Sequence, residues 1–271
     1  MCKVLKIQRS TYYERLHHKP SNRELENKKL DEEIKEIYYA SKKRYGAPKI
    51  QKVLLSKTIK VSLKRVQRRM TLLGIRSIVV KKYRHHSSNH TVIEQENLLK
   101  QDFSATTINQ KWCTDITYIH TLRDGWTYLA SVMDFYSKKV IGWSYGTSMT
   151  AELALKAVEN VCLNVKNTEG IILHSDLGSQ YTSDLFENYL KEHKIKHSFS
   201  RKGCPYDNAC IESFHSVLKK EEVHTKHYID SKEAFNALFE YIESWYNHKR
   251  IHSSLNYQTP NAVHKAAQGM A

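Results

Sequence analysis

The stretch IILHSDLGSQYTS, residues 171–183, begins with aliphatic residues and becomes polar at His174, Ser175 and Asp176. The short apolar run predicts a strand buried on both faces, as in a sheet that carries helices on each side. An aspartate at the carboxyl end of such a strand stands where open α/β sheets place their ligands. Asp176 is therefore a candidate functional carboxylate in an α/β fold.

The residues around this strand predict a mixed sheet of about five strands with helices packed on its faces. Alternating residues and turn signals indicate three strands joined by hairpins, and periodic apolar residues indicate the helices that follow. The predicted order is β-β-β-α-β-α-β-α-α, which combines hairpins with α/β alternation. The predicted strands are 111–121, 126–137, 138–146, 171–176 and 195–200, and the helices are 150–165, 183–194, 206–221 and 231–252, the last capped by Ser231.

Two more carboxylates are candidates by position. Asp115 lies in the middle of the first strand, and Glu212 lies on a helix whose shared face carries Asn208, His215 and Lys219. Clustered carboxylates raise one another's pKa unless a cation offsets their charge. Hard oxygen ligands from two strands and a helix suit Mg²⁺ or Mn²⁺. Asp134 and Asp207 remain candidates for supporting positions around such a site.

The charge of the chain is concentrated in its first third. Residues 1–100 hold 25 Lys and Arg against 9 Asp and Glu, whereas the other 171 residues hold 18 against 19. Between Lys42 and Arg84 there are 15 basic residues and no acidic one. Such a block predicts a surface that meets phosphates, and the alternative is a run of charge that only keeps the chain soluble.

This basic region reads as a helix-turn-helix. A capping box at Ser21 and Glu24 begins one helix, a second short helix follows Tyr45, and Ser62 caps a third that ends at Gly74. The third helix is apolar on one face and arginine-rich on the other, which favours contact with DNA phosphates over base readout. A small helical bundle with a basic side is the alternative. The predicted DNA-contacting residues are Lys49, Lys64, Arg65, Arg68 and Arg69.

Three stretches carry a family resemblance. WCTDITYI, HSDLGSQYTS and SRKGCPYDNACIESFHSVLKKE resemble the three acidic motifs of DDE transposases and retroviral integrases, with 35 residues between Asp176 and Glu212. The chain is most similar to the OrfB catalytic frame of IS-three-type bacterial insertion sequences. The likeness covers nearly the whole chain, including VSLKRVQRRMTLLGI at 61–75 and YNHKRIHSSLNYQTP at 246–260.

The resemblance implies an RNase H-like catalytic domain in which Asp115, Asp176 and Glu212 hold two Mg²⁺ or Mn²⁺ ions. It implies that Lys219 contacts the phosphate beside the scissile one, with Asn208 and Gln180 orienting strands nearby. The implied reaction is cleavage at the ends of the element and transfer of the 3′-OH to target DNA. The implied partners are the terminal repeats and target DNA, an OrfA protein or fusion, and further copies of the chain on DNA. A nuclease of the same fold and a non-catalytic DNA-binding regulator are the alternatives.

The domain organisation follows from these patterns. No apolar run of about 18 residues and no signal peptide is present, and five cysteines without a C-x-x-C pair fit a reducing cytoplasm. We expect a nucleoid-associated bacterial protein. Because the chain starts at its own Met1 without leucine-zipper heptads, we expect that it either needs a partner such as OrfA or is only the catalytic half of the working protein. Exposed His248, Lys249 and Arg250 are expected in the tail. The expected divisions are a DNA-binding module at 1–75, a linker at 76–108 with a brief strand at 77–80, a catalytic core at 109–225, and a helix and tail at 226–271.

Overall fold

The computed structural model describes residues 2, 7–79, 97–99, 102–200 and 208–269. The chain divides into two compact units, Met1–Ser77 and Ile78–Ala271. Among the helices of these ranges, none combines the length and the apolar character that crossing a membrane requires.

The first unit is all helical. Its helices are α1 (Arg9–Leu16), α2 (Asn22–Ala40), α3 (Ala47–Ser56) and α4 (Leu63–Leu72). The predicted capping box at Ser21 is confirmed, and the Ser62 side chain accepts a hydrogen bond from the backbone N–H of Arg65 at the start of α4. Gly74 follows α4 with a φ of 66°, a conformation that glycine adopts without steric cost.

The apolar faces of α2, α3 and α4 form the core of this unit. Ile34, Ile50, Leu54 and Val66 are completely buried. Leu25 is exposed, because it lies in the first turn of α2, ahead of the buried residues of that helix. The strand predicted at 77–80 is wrong for residues 77–79, which are irregular, and Val80 lies outside the described residues.

The second unit is built on one mixed sheet with the order β3-β2-β1-β4-β5. β1 pairs antiparallel with β2 and parallel with β4, which pairs parallel with β5, while β2 and β3 are antiparallel. The predicted mixed five-stranded sheet with flanking helices is confirmed. The strands are β1 (Lys111–Thr121), β2 (Gly125–Asp134), β3 (Val140–Gly146), β4 (Ile172–Ser175) and β5 (Lys196–Phe199).

Helices cover both faces of the sheet. On one face α5 and α6 pack over a core that includes Trp112, Val132 and Leu173. On the other face α7 lies against β1 and β2, and α8 contacts β1. The helices are α5 (Ala151–Cys162), α6 (Asp184–Glu192), α7 (Ala209–Glu221), α8 (Ser231–Phe239) and α9 (Pro260–Gln268).

The tail differs from the prediction in three ways. Asp230, not Ser231, caps α8, because the Asp230 carboxylate accepts the backbone N–H of Glu233. The predicted long helix changes to a π-helical segment at Glu240–Tyr246, and α9 follows where only a tail was expected. Arg250, predicted to be exposed, is buried, because its guanidinium donates to both carboxylate oxygens of Glu221.

Candidate active site

The sheet topology brings Asp115 and Asp176 together. The parallel pairing of β1 with β4 ends at Cys113 and His174, so each aspartate lies two residues further along its own strand direction. Asp115 Oδ1 accepts the N–H of Ile116 at 2.8 Å, and Asp176 Oδ1 accepts the N–H of Gly178 at 3.0 Å. One oxygen of each carboxylate is thereby fixed by backbone.

The electrostatics of the pair agree with this proximity. Burial among protein atoms raises the pKa of Asp176, and the negative charge of Asp115 raises it further. The hydrogen bond from the Gly178 N–H lowers this pKa by a smaller amount. Burial and then Asp115 likewise raise the pKa of Tyr181, whose hydroxyl lies 3.3 Å from Thr114 Oγ1. A bound cation would relieve the repulsion between the two carboxylates.

Helix α7 is held against β1 on both sides of Glu212. Asn208 Nδ2 donates to the carbonyl of Thr114 at 3.4 Å, and His215 Nδ1 lies 3.3 Å from Asp115 Oδ2. Glu212 is exposed in the first turn of α7, on the helical face that it shares with these two residues. The predicted third acid is therefore carried by an element that touches Asp115 directly.

The donor set fits a divalent cation in its chemistry. Asp115 and Asp176 supply hard carboxylate oxygens, and their repulsion in the protein alone favours a positive charge between them. Asn208 Oδ1 is also buried and has no hydrogen-bond partner among the residues described. In that part of the chain, no three His, Cys, Asp or Glu side chains are arranged so that they could hold a metal ion.

Lys219 lies beside the same site. Burial lowers the pKa of its ammonium group, and the charge of Asp115 acts in the opposite direction. The ammonium nitrogen stands 5.5 Å from the ring centroid of Tyr118. Lys219 therefore combines a nearby carboxylate with an aromatic surface, which is the setting of a cation that can receive a phosphate.

Gln180 and Asp134 have separate roles. Gln180 Nε2 is 3.5 Å from the carbonyl of Met149, and Gln180 Oε1 lies close to Gly178 in the turn after Asp176. Asp134 is buried and accepts hydrogen bonds from the backbone of Asn109 and from both the N–H and hydroxyl of Ser137. Its carboxylate is thus used in holding the turn that follows β2. Asp207 lies outside the described residues.

Behind Asp176 lies a chain of hydrogen-bonded side chains, which we call the relay, that was not predicted from the sequence. Glu187 Oε1 is 2.6 Å from His197 Nδ1, and His197 Nε2 is 2.9 Å from Ser175 Oγ, which donates to the carbonyl of Asp176 at 2.8 Å. Burial lowers the pKa of His197, and Glu187 opposes that shift. The histidine in IKHSFS and the serine in HSD are visible in the sequence, but their contact depends on β4 pairing with β5.

His215 is the second residue whose role was missed. Its Nε2 lies 3.3 Å from Ser131 Oγ, while its Nδ1 faces Asp115. Its position seven residues after Asn208 on one helical face was the signal available in the sequence. The ring links β1 and β2 to α7 at the level of the candidate carboxylates.

The predicted DNA-contacting residues of α4 fall into two groups. Arg65 donates to Asn27 at 2.9 Å and to Glu26 at 3.3 Å, and Arg69 donates to both carboxylate oxygens of Asp31 on α2. Lys64 and Arg68 are exposed and, within the described ranges, make no ion pair. On α3, Lys49 lies over the ring of Tyr45 at 5.1 Å.

Family models match three regions of the chain. Residues 105–205 match an integrase core domain, residues 24–83 match an HTH-like domain, and residues 193–260 match a further integrase core domain model. The first two matches correspond to the sheet-based unit and to the helical unit described above.

Similar proteins cover almost the full length of this chain. The transposase for insertion sequence element IS904 of Lactococcus lactis is 39% identical over 251 residues, which is 92% of this chain and 99% of that protein. Transposase InsF for insertion sequence IS3A of Escherichia coli is 39% identical over 256 residues, which is 93% of this chain and 88% of that protein.

Solved structures are more distant. The HTLV-2 integrase catalytic core domain in complex with magnesium, in its trimeric form, is 17% identical with a TM-score of 0.45, over 59% of this chain and 99% of that one. The catalytic core domain of BIV integrase is 19% identical with a TM-score of 0.44, over 60% of this chain and 97% of that one. The sequence relatives alone carry the assignment to a family.

Proposed function

The chain belongs to the transposases of IS3-type bacterial insertion sequences, and we propose that it cuts the ends of such an element and joins the freed 3′-OH to target DNA. The observation that carries this proposal is the meeting of Asp115, in the middle of β1, with Asp176, directly after the end of the parallel strand β4, while α7 is docked on Asp115 through His215. Divalent metal use accords with an integrase-type core.

We assign Asp115, Asp176 and Glu212 as the residues that would hold Mg²⁺ or Mn²⁺. When bound, such ions activate the attacking water or 3′-OH and stabilise the leaving oxygen during in-line displacement at phosphorus. The backbone bonds to Asp115 and Asp176 orient the carboxylates before any ligand arrives.

Side chains around the carboxylates orient them and the DNA. His215 holds the second oxygen of Asp115, as partners of metal-binding carboxylates commonly do. Lys219 is placed to bind the phosphate beside the scissile one. Asn208 fixes the start of α7 on β1, and Gln180 is placed to orient a strand beside Asp176.

We assign to the helical unit the contacts with DNA phosphates that do not depend on base sequence. Lys49, Lys64, Arg65, Arg68 and Arg69 are the candidate phosphate contacts. Lys64 and Arg68, which are exposed and make no ion pair with any residue the structure describes, are the ones we propose to bind DNA first, whereas Arg65 and Arg69 already donate to side chains of α2. The terminal repeats and the target DNA are the proposed substrates. OrfA, or an OrfA fusion, and further copies of this chain on DNA are the proposed partners, in the bacterial cytoplasm near the nucleoid. We keep the division into module 1–75, linker 76–108, core 109–225 and tail 226–271 as a proposal.

The test compares wild-type protein with Asp176→Asn on DNA that carries the element ends, with Mg²⁺ or Mn²⁺. The asparagine keeps the shape of the side chain but removes the charge that would hold a metal ion. We expect normal DNA binding and at least a hundredfold loss of cleavage, a scale on which misplaced catalytic groups act. Glu192→Gln, an acid at the end of α6, is the matched control and should cut normally. Cleavage by Asp176→Asn near the wild-type rate would contradict the assignment.

The joining step needs its own substrate. Wild-type protein given pre-cut ends and a target plasmid should produce joined products in the presence of metal. Cleavage without joining would identify a nuclease of the same fold, and metal-independent binding without any product would identify a DNA-binding regulator.

A further inference from the structure

The far end of the β1–β2 hairpin carries an exposed group of aromatic side chains. Tyr118 pairs with Tyr128 and His120 pairs with Trp126 across the two strands, so the four rings share one face of the sheet. Tyr118 is 52% exposed and Trp126 is 60% exposed. We call these four residues, Tyr118, His120, Trp126 and Tyr128, the aromatic platform.

The rings of the platform meet edge to face. The ring centroids of Tyr118 and Trp126 are 6.4 Å apart with an angle of 78° between the ring planes, and His120 stands 5.1 Å from Trp126 at 80°. Because the rings touch by their edges, parts of their faces stay open to other molecules. The platform therefore offers flat aromatic surface to a ligand.

The exposure of these rings is unusual for their place in the sheet. Trp112, Ala130 and Val132 lie on the same face and are buried beneath helices. Tyr128 is half-buried against that core, whereas Tyr118, His120 and Trp126 are exposed beyond it. A solvated strand end normally carries polar residues, and a contiguous exposed apolar patch marks a binding surface.

Lys219 connects the platform to the candidate active site. Its ammonium nitrogen lies 5.5 Å from the Tyr118 ring, and its charge interacts with Asp115 three residues earlier on β1. The parallel pairing of β1 with β4 ends at Cys113, and the next pairing on that edge is the bridge from Thr121 to Tyr228. Between Cys113 and Thr121 this edge of β1 is open in the part of the chain that the structure describes, so the side chain of Lys219 can extend from α7 past the edge to the Tyr118 ring.

We propose that the aromatic platform stacks unpaired DNA bases next to the scissile phosphate. Base faces stack on aromatic side chains without regard to sequence, and a nearby cation holds the backbone between them. Trp126 and Tyr118 supply the stacking surface, and Lys219 supplies the cation. This inference rests on the proposed function, because the platform serves the strand that the carboxylates cut.

The geometry sets how far from the cut the bases lie. Along β1, Tyr118 lies three residues from Asp115, and His120, which is opposite Trp126, lies five residues from it; these separations correspond to about 10 Å and about 17 Å. The rings lie on the face of the sheet opposite to Asp115, and Lys219 connects the two faces at the edge of β1. One DNA strand advances about 3.4 Å per nucleotide, so the stacked bases lie about three to five nucleotides from the scissile phosphate. Bases inside a duplex cannot reach the platform, and the DNA end must therefore open there.

Tryptophan fluorescence gives a direct measurement. The chain has four tryptophans; Trp112 and Trp245 are buried, Trp143 donates to Glu243, and Trp126 is exposed. The full chain, without metal, is titrated with a single-stranded oligothymidylate of about a dozen nucleotides and with a duplex of equal length. We expect the single strand to quench the fluorescence and the duplex to leave it nearly unchanged.

Variants assign the effect to the platform. Trp126→Ala and Tyr118→Ala should each weaken single-strand binding about tenfold, within the range for loss of one stacked base, and leave duplex binding unchanged. Trp126→Phe should restore most of the affinity. Phe239→Ala, which removes an exposed aromatic ring on α8, is the matched control and should bind like wild type. Unchanged melting temperatures would show that each variant folds.

The outcomes separate this inference from the proposed function. Asp176→Asn should keep both the quenching and the single-strand affinity even though it loses cleavage, so a failed cleavage assignment leaves the platform test intact. Equal single-strand binding by wild type, Trp126→Ala and Tyr118→Ala would overturn the inference. Loss of self-association in those variants, with DNA binding unchanged, would also overturn it and assign the platform to contact between copies.

Discussion

At the scale of single residues, the position of Asp176 depends on the glycine two residues after it. A Cβ atom on Gly178 would lie 3.0 Å from Asp176 Oδ1 and 2.9 Å from Gln180 Oε1, closer than ordinary packing allows. Both neighbours are ends of flexible side chains, so they can move aside at small cost to folding. The carboxylate that we assign to a metal would move with them.

Gly178→Ala should therefore reduce activity far more than stability. We expect DNA cleavage to fall at least about tenfold, since small displacements of catalytic groups have large effects on rate, while the midpoint of urea unfolding stays nearly constant. Gly46→Ala is the matched control, because its new Cβ would meet Pro48 at 3.9 Å, an ordinary contact. Wild-type cleavage by Gly178→Ala would show that the turn does not set the carboxylate.

Single residues also show which parts of the candidate site could be predicted from the sequence and which could not. Asp115, Asp176 and Glu212 could be proposed because acids in a strand, at a strand end and on a helical face are conspicuous. The relay from Glu187 through His197 to Ser175 could not, because it requires residues from α6, β5 and β4 to converge. Tertiary contacts of this kind leave no periodic signal in the chain.

At the scale of elements, the basic residues on one face of α4 differ in what they contact. Four of the cations predicted to contact DNA share this helix, yet Asp31 on α2 binds Arg69 through two hydrogen bonds. Arg68, its neighbour, is exposed to solvent. We infer that Arg69 mainly holds α2 to α4 and that Arg68 meets phosphate.

The two arginines give a matched pair of variants. Arg68→Ala should weaken DNA binding and reduce the slope of log affinity against log salt by about one, because one phosphate contact is lost. Arg69→Ala should instead lower the free energy of unfolding by roughly 1–3 kcal/mol, since charged hydrogen bonds are lost and Asp31 keeps its charge. Binding measured over a salt series, with urea unfolding, tests both. Equal loss of affinity in the two variants, with equal stability, would refute the division.

Element boundaries show the limits of pattern reading as well. The α8 pattern continued past Phe239, but Glu240–Tyr246 forms a π-helical segment. Tyr241, Ile242, Trp245 and Tyr246 are all buried, so packing decides the backbone geometry there. Helix α9 was missed although Thr259 and Pro260 form a recognisable helix start, with the Thr259 side chain accepting the N–H of Ala262.

At the scale of the whole molecule, the C-terminal residues are bonded to α7, the helix that carries Glu212. Glu221 ends α7 and receives the guanidinium of Arg250 together with the hydroxyl of Tyr241 and the indole N–H of Trp245. All of these groups are buried. The sequence suggested an exposed basic tail because the motif YNHKRIH is polar. His248 and Lys249 are exposed as predicted, and only Arg250 is buried, because Glu221 lies inside the fold.

Breaking this pair should destabilise the protein strongly. Arg250→Met leaves the Glu221 carboxylate buried without its cation, which should cost about 3–5 kcal/mol of unfolding free energy. Glu221→Gln combined with Arg250→Met should recover much of the loss, because no uncompensated charge remains. Lys249→Ala, at an exposed neighbouring position, serves as the control. A loss below about 1 kcal/mol in Arg250→Met, as for surface pairs, would contradict the account.

In the chain as a whole, the strongly basic part and the nearly neutral part form different structures, a division that the charge distribution already suggested. The basic excess lies in the first 100 residues, and the nearly neutral remainder forms the sheet that presents the carboxylates. The order of strands and helices along the chain was predictable because hairpins and α/β alternation have distinct patterns. The docking of α7 on β1 was not, because the contacts of Asn208 and His215 join residues that are far apart in sequence.

The central claim is that Asp115, Asp176 and Glu212 hold one metal centre, and cleavage of the protein backbone by bound iron tests it most directly. Fe²⁺ placed in a magnesium site reacts with added hydrogen peroxide to give Fe³⁺, hydroxide and a hydroxyl radical that cuts nearby polypeptide, and the fragments are mapped by mass spectrometry. We predict cuts beside all three residues, competed by Mg²⁺ and lost in Asp115→Asn. Cuts near the two aspartates but not near Glu212, or cuts that Mg²⁺ does not suppress, would contradict the claim.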